Sequence, residues 1–288
     1  MSDRQAGDDR PTDDRPTVLV PVRVLAGESI PEGVPALLAH AHVVVLGYHV
    51  IPEQTAPGQA RMQFETQAIT RLDELDELFT DAGATVERRL VFTHDGQKTI
   101  NRTIIETDAL AVLVPDTTGP PEDVLVAVRG TVGIDRLARV VAGVFGPFET
   151  TVTLFHVADD EETETDAQML LDTLTERLVE LGVDEAAIRH RIERGEDALD
   201  RIVETGGSFD AIVMGETDPS IATFVFGMPA EQLADRFIGP VFVVQREPPA
   251  IDDESNDNES NDEPTGDTPI DEEADDDGVT DGEATGTE

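Results

Sequence analysis

The stretch that decides the fold is residues 211–245, AIVMGETDPSIATFVFGMPAEQLADRFIGPVFVVQ. An apolar segment ends in Gly215, a loop extends to a second glycine at Gly227, and a helix-like segment then leads into another apolar run. Open α/β sheets build phosphate sites in this order, because glycines let the backbone approach a ligand and a helix N-terminus offers free N–H groups. The stretch therefore predicts a buried strand, a ligand loop, a helix and a second buried strand.

Upstream of this stretch, strand patterns alternate with helical ones. Strands are predicted at 124–128, 151–157, 188–192, 211–214 and 241–244, and helices at 133–144, 165–181, 196–204 and 229–237. Continuous apolar runs such as VLVAV at 124–128 are typical of parallel strands that are buried on both faces. The alternation predicts an α/β fold with a doubly wound parallel sheet.

The same order occurs earlier in the chain. VLVPVR at 18–23 matches VLVAVR at 124–129, LGYHV at 46–50 matches LFHV at 154–157, and IIET at 104–107 matches IVET at 202–205. In this first copy, strands are predicted at 17–22, 43–50, 85–91 and 110–114, and helices at 59–81 and 97–107. It stops before a fourth helix and a fifth strand. The chain is therefore predicted to be a tandem duplication, with a truncated domain at 17–118 and a complete one at 122–246.

The composition is strongly acidic. The 288 residues carry a formal charge of −42, Lys98 is the only lysine, and there is no cysteine. The acidic, lysine-poor pattern resembles proteins of salt-loving archaea, whose self-repulsion is screened by molar salt. It disfavours nucleic acid and anionic membranes as partners. The absence of cysteine excludes disulfides and thiolate metal sites, and it fits a reducing cytoplasm.

Both ends of the chain have the composition of disordered segments. Residues 250–288 hold seventeen acidic side chains and no lysine or arginine, and residues 1–16 are also polar and charged. Such segments bury too little apolar surface to offset the entropy of ordering, so both are predicted to be disordered. The tail is either a solubilising segment or an interaction segment that holds cations. No secretory signal and no apolar stretch of about 20 residues is present, so a cytoplasmic protein without membrane insertion is expected.

The duplicated pattern resembles the universal stress protein family over roughly residues 17–245. The resemblance is carried by VLVAVRGT at 124–131, by the strand that ends in His156 and Val157, and by the loop from Gly215 to Met228, which is similar to the family motif G-x2-G-x9-G-[ST]. It implies two tandem Rossmann-like domains of the adenine nucleotide alpha hydrolase type. It also implies that any nucleotide site lies in the second copy, because the first copy lacks the loop.

In nucleotide-binding members of that family, an Asp after the first strand contacts the adenosine, the glycines hold the phosphates, and a final Ser or Thr donates to a phosphate oxygen. The matching cofactor-binding candidates here are Arg129, Gly130, Val157, Gly215, Asp218, Gly227 and Met228. Arg129 replaces the acidic acceptor with a cation that only donates, as does Arg23 in the first copy. Asp218 adds charge and a Cβ where a glycine is expected, and Met228 has no hydroxyl. The resemblance therefore implies a degenerate site at which ATP is disfavoured.

Several interpretations stay open at this stage. The glycines are either turn residues only or parts of an ATP site, and the two equivalent arginines are either surface residues paired with carboxylates or anion contacts. His49 and His156 end equivalent strands, as ligand contacts or as core histidines. No catalytic residue and no metal set stands out. The leading hypothesis is a non-catalytic regulatory or interaction protein. The alternatives are an ATP or AMP sensor or weak hydrolase, and a regulatory partner of a membrane transporter, since GETDPSI and FGMPAEQ resemble domains attached to amino-acid permeases.

The fifth strand of the second copy also implies an assembly. In relatives this strand pairs with its counterpart across a dimer interface, and PVFVVQ, from Pro240 to Gln245, is apolar enough for that role. An open strand edge of this kind invites pairing. Because the first copy has no fifth strand to offer, the sequence predicts that this edge recruits a second chain and forms a homodimer.

Overall fold

The structure is a computed structural model that describes residues 15–130, 133–195, 198–215 and 239–246. Its elements repeat in two segments, which we call the first half (17–114) and the second half (123–244). The first half contains β1 (Thr17–Arg23), α1 (Val34–Leu37), β2 (His42–Val50), α2 (Pro57–Ala82), β3 (Thr85–Thr93), α3 (Gly96–Thr107) and β4 (Ala111–Val114). The second half contains β5 (Asp123–Ala127), α4 (Ile134–Phe145), β6 (Thr151–Ala158), α5 (Glu164–Glu180), β7 (Ile188–Arg194), α6 (Ala198–Gly206), β8 (Ala211–Gly215) and β9 (Val241–Val244).

These bounds confirm the strands and helices predicted within the described residues, to within a few positions at each end. The helix predicted at 229–237 lies outside the described residues. The sequence patterns missed α1, which has only four residues. Its counterpart α4 has twelve residues and buries one continuous apolar stripe.

The nine strands of the described residues form one sheet, ordered β3-β2-β1-β4-β9-β8-β5-β6-β7. The order β3-β2-β1-β4 in the first half is repeated as β7-β6-β5-β8 in the second half, with β9 added beside β8. Neighbouring strands are parallel within each half, and only β4 and β9 are antiparallel. The alternation of strands and helices, with a sheet that is mainly parallel, confirms the α/β fold class.

The helices cover the sheet in two layers. The largest buried cluster lies under α1, α2, α4 and α5, and it runs through both halves without interruption. On the opposite face, α3 covers a cluster in the first half and α6 covers a separate cluster in the second half. The central strands β5, β8 and β9 are buried on both faces, which explains their unbroken apolar sequences.

The junction between the halves is the antiparallel pair of β4 and β9. Val114 pairs with Val241 and Ala111 with Val244, while β8 pairs with the other side of β9. The strand predicted to recruit a second chain therefore has neighbours on both sides, so residues 240–245 do not form the open edge that was expected. Homodimerisation itself stays a prediction. The truncation of the first half explains the difference, because β4 has no fifth strand of its own and takes the one from the second half.

Side chains also cross between the halves. Arg136 on α4 is largely buried and donates from one terminal guanidinium nitrogen to the Ala109 carbonyl oxygen at 3.1 Å and to the Asp108 carboxylate at 3.2 Å. Pro16 is buried, accepts from the N–H of His42 at 3.0 Å and lies against Gly143 on α4. The described residues of both halves consequently belong to one compact unit. That 17–118 and 122–246 are two domains stays a prediction. The segments predicted to be disordered, 1–16 and 250–288, lie outside the described residues except for Arg15 and Pro16.

Candidate functional site

The candidate site lies where the chain reverses its direction across the sheet. From β5 the second half proceeds to β6 and β7 on one side, and it then returns to place β8 on the other side of β5. Ligands of open α/β sheets bind outside the carboxyl ends of the strands at such a switch point. Arg129 follows β5 and Gly215 ends β8, so these two predicted residues lie at the switch point.

A small cleft occupies this position. Its apolar wall consists of residues from β5, α4 and β9, and its rim is formed by glycines and polar side chains: Arg129, Gly130, Gly133, Gly215, Gln245 and Arg246. The cleft has a volume of about 20 Å³. This is room for about one water molecule, whereas sites for drug-sized ligands measure about 300–1,000 Å³.

The structure brings together three of the predicted site residues, Arg129, Gly130 and Gly215. Val157 does not line the cleft, and it packs against the cluster on the opposite face of the sheet. Asp218, Gly227 and Met228 lie outside the described residues. Sequence reasoning missed Gly133, Gln245 and Arg246. A signal for the last two existed, because a strand parallel to β8 must end at the same edge of the sheet as β8.

Arg129 is exposed at the rim. Within the part of the chain that the structure describes, no hydrogen bond or ion pair involves its side chain. Gly130 and Gly133 both have positive φ, 72° and 83°, and Gly133 is the N-cap of α4 without a side-chain cap. A Cβ added at either glycine would meet nothing within 4 Å. Gly130 and Gly133 therefore stand in open space beside the guanidinium donors of Arg129.

The equivalent position in the first half is closed by an ion pair. The backbone N–H of Arg23 donates to one oxygen of the Glu28 carboxylate at 2.7 Å, and its Nε donates to the other oxygen. Arg71 holds the same loop by donating to the Glu28 carbonyl oxygen at 3.0 Å. Burial and the nearby Glu28 carboxylate raise the pKa of Tyr48, whose position on β2 pairs with Arg23.

The segment after β4 covers the same position. Thr118 is buried, and its N–H donates to the Glu32 carbonyl oxygen at 3.1 Å. A Cβ added to Gly33, the N-cap of α1, would lie 1.8 Å from the Thr118 carbonyl oxygen. Gly33 and Gly133 thus hold the same role before the first helix of each half, one under a covering segment and one open.

A second, larger cavity lies at the amino ends of the strands. It has a volume of about 470 Å³ and lies between the C-terminal ends of α4 and α5, lined by Phe145, Phe148, Glu149, Val152, Gly182 and Asp184 among others. Most of these side chains are partly or fully exposed. In the first half, Gly83 corresponds to Gly182, but Ala39 packs against it. The cavity therefore belongs to the second half, and no sequence motif pointed to it.

Metal sites and membrane-spanning helices are two further possibilities for the described residues. No group of three or more His, Asp or Glu side chains is placed to hold a metal ion there. Among the same residues, no helix is long and apolar enough to cross a membrane.

At the switch point, the described residues differ from the pattern that the resemblance implies for an adenine nucleotide. The position that would accept hydrogen bonds from adenosine is Arg129, which has only donors. The cleft has the volume of a single water molecule. The first half offers no substitute, because Glu28 and Thr118 close its switch point.

No protein-family model matches the chain, and no curated protein matches it. Similar solved structures are universal stress proteins. One from Archaeoglobus fulgidus DSM 4304 is 16% identical, with a TM-score of 0.48, over 82% of this chain and all of its own. Another, in complex with cAMP, is 19% identical, with a TM-score of 0.33, over 44% of this chain and 98% of its own. At these values the likeness carries no argument about function, and the fold rests on the sheet order of this chain.

Proposed function

We propose that this chain is a non-catalytic regulatory or interaction protein of the universal stress protein type, in which the nucleotide position of the fold is degenerate. The observation that carries the proposal is the arginine at the end of the first strand in each half. Arg23 is neutralised by Glu28 within its own half, and Arg129 stands at the rim of a cleft of about 20 Å³.

The chemistry of an adenine nucleotide explains why this arrangement opposes binding. A ribose offers hydroxyl donors and an adenine offers an amino donor, and both need acceptors that a guanidinium lacks. Triphosphate needs neutralising charge, whereas the whole chain carries −42. Attraction at one arginine is therefore opposed by the field of the whole protein.

The first half supports the same conclusion, because its switch point is covered. A ligand at its switch point would have to displace the Arg23–Glu28 pair and the segment at Thr118. Both belong to ordered loops whose backbone groups are hydrogen-bonded to neighbours. We infer that the first half acts as a scaffold, and that any recognition uses the outer surface.

The test is to purify the full chain in molar KCl, denature it and identify any small molecule that is released. We expect no stoichiometric adenine nucleotide. Calorimetric titration with ATP, AMP and cAMP should show no saturable binding in the physiological concentration range. Recovery of near-stoichiometric nucleotide, or saturable binding of any of the three, would overturn the proposal.

A gain-of-function series makes the test specific to the site. The triple variant Arg129→Asp, Asp218→Gly and Met228→Ser restores the family pattern in the second copy and should raise nucleotide affinity above that of the wild type. Arg23→Asp is the matched control and should not, because the segment at Thr118 still covers that position. Equal effects of the two would show that the arginines do not decide binding.

A further inference from the structure

His156 occupies a buried position at the end of β6, close to the candidate cleft, and only 3% of its surface is exposed. Its Nδ1 lies 2.8 Å from the carbonyl oxygen of Val128, the residue that precedes Arg129. Its Nε2 lies 2.8 Å from the Oε2 atom of Glu162, in the loop between β6 and α5. The ring thus connects the end of β5 to this loop.

Both partners of the ring are hydrogen-bond acceptors. A carbonyl oxygen only accepts, so Nδ1 must carry a hydrogen, and an ionised carboxylate only accepts, so Nε2 must carry one as well. A neutral imidazole has a single N–H. The two contacts therefore require one proton more than a neutral histidine beside an ionised glutamate, held either on the ring or on the carboxyl group.

We propose that His156 and Glu162 bind this proton together and act as a proton-dependent latch on the loop 159–162. With the proton bound, the loop is fastened to the carboxyl ends of β5 and β6. When the proton leaves to solvent, one of the two hydrogen bonds must break, and Glu162 becomes free to move outward. The inference does not depend on whether the cleft binds a nucleotide.

Other hydrogen bonds within and to the loop 159–162 fix the backbone at Glu162. The Asp159 carboxylate accepts from the N–H groups of Glu161 and Glu162, both at 2.9 Å. Arg194 on β7 donates to the carbonyl oxygens of Asp159 and Glu162, both at 3.2 Å. These contacts shape the loop and hold its outer side. Among the hydrogen bonds of the described residues, the contact to His156 is the one that connects the loop to the buried end of β5.

Charged groups surround the pair on every neighbouring element. The loop contributes Asp159, Asp160 and Glu161, the first turn of α5 contributes Glu164 and Asp166, β7 contributes Glu193 and Arg194, and Arg129 follows Val128. Carboxylates outnumber the two arginines in this set.

The first half provides an internal control. His49 ends β2 at the position equivalent to His156, and it lies against the rings of Phe64 and Phe92, at centroid distances of 5.7 and 6.1 Å. No hydrogen bond to its side chain lies within the described residues. The same residue type at the same strand end thus has a latch in one half and an aromatic packing contact in the other.

The test is NMR of the full chain labelled with ¹⁵N in histidine, combined with amide hydrogen exchange, between about pH 5 and 9. Near neutral pH, we expect the His156–Glu162 pair to hold its additional proton, seen as ring nitrogens that are both protonated or as a protonated Glu162 carboxyl. As the pair loses its proton, exchange at Glu161 and Glu162 should rise about tenfold beyond the intrinsic pH effect, as the loss of a charged hydrogen bond predicts.

Two variants make the outcome unambiguous. Glu162→Gln removes the charge at a partly exposed position, so the fold is retained. Its amide NH2 can donate to Nε2 of a neutral His156 ring, so exchange in the loop should stay slow and lose its step with pH. His49→Gln should leave the loop unchanged. The proposal is overturned if His156 carries one ring proton beside an ionised Glu162 at neutral pH, or if loss of the proton leaves exchange in the loop unchanged.

Discussion

Arg23 ends the first strand of the first half, and Arg129 follows the first strand of the second half. The two side chains have different neighbours. Arg23 is bound to Glu28 under a segment that also covers Gly33. Arg129 stands at an open rim beside Gly130 and Gly133. The strands of the two halves have kept the same order, while the loops at their carboxyl ends have diverged. A repeated residue at a repeated position is therefore not a repeated site, because the neighbouring loops decide its role.

The largest expected effect tests whether the two halves unfold independently or in one transition. Phe242 on β9 is fully buried and meets the Phe145 ring edge-on at 5.5 Å. Phe242→Ala should cost about 3–5 kcal/mol, the usual loss for a buried phenylalanine. Because β9 serves both halves, the loss should appear in each of them. Urea unfolding followed by Tyr48 fluorescence, a probe of the first half, and by circular dichroism should show equal shifts.

The comparison would break if the Tyr48 transition of Phe242→Ala stayed at the wild-type midpoint while the circular dichroism transition moved. That outcome would make the halves independent despite their common sheet. Met62→Ala is the control, because this side chain is 83% exposed and its removal should shift neither signal.

The next effect concerns the two N-cap glycines. Gly33→Ala should destabilise by about 3 kcal/mol, because a left-handed backbone and a clash with the Thr118 carbonyl act together. Gly133→Ala meets only the backbone penalty, about 1 kcal/mol. The urea midpoints of the two variants should differ accordingly. Equal midpoints would mean that the covering segment moves aside at little cost, and that the first half is less closed than its contacts indicate.

The smallest effect concerns the charge that closes the first half. Glu28→Gln should lower the raised pKa of Tyr48 toward its ordinary value of 10.0, although burial, the larger cause, remains. Absorbance titration of this single tyrosine measures the change, and Glu32→Gln in the same loop is the control. Since the folded state binds the phenol proton more tightly, the stability from Tyr48 is present below the ordinary pKa and is lost as pH rises through the raised one. An unchanged titration in Glu28→Gln would remove Glu28 from this environment.

Much of the fold could be predicted from the sequence, because buried parallel strands and amphipathic helices leave periodic patterns. The strand VLVA at 124–127 and the apolar stripe of α4 show this directly. The four-residue helix α1 could not be found, since one turn has no period and Pro35 interrupts the pattern. The pairing of β4 with β9 could not be predicted either. A continuous apolar run indicates that a strand is buried, but it does not indicate which strand pairs with it.

For the site, the sequence predicted which residues share one edge of the sheet, but it did not predict their side-chain contacts. Arg129, Gly130 and Gly215 were placed together because parallel strands end at one edge of the sheet. The Arg23–Glu28 pair depends on a loop conformation that no local pattern encodes. The contact of His156 with Glu162 has the same origin, since six positions of chain separate the two residues and only the turn at Asp159 brings them together.

The position of β9 sets the order in which the chain can be completed. Val114 pairs with Val241, so the strand that covers the edge of β4 leaves the ribosome after all the other strands that the structure describes. During synthesis of the whole second half, β4 presents unpaired N–H and C=O groups, the kind of edge on which nascent chains stick to one another. The half that is made first is thus finished last. A chaperone that holds the emerging chain, or slow release near the C-terminus, would matter more for this protein than for one whose halves close separately.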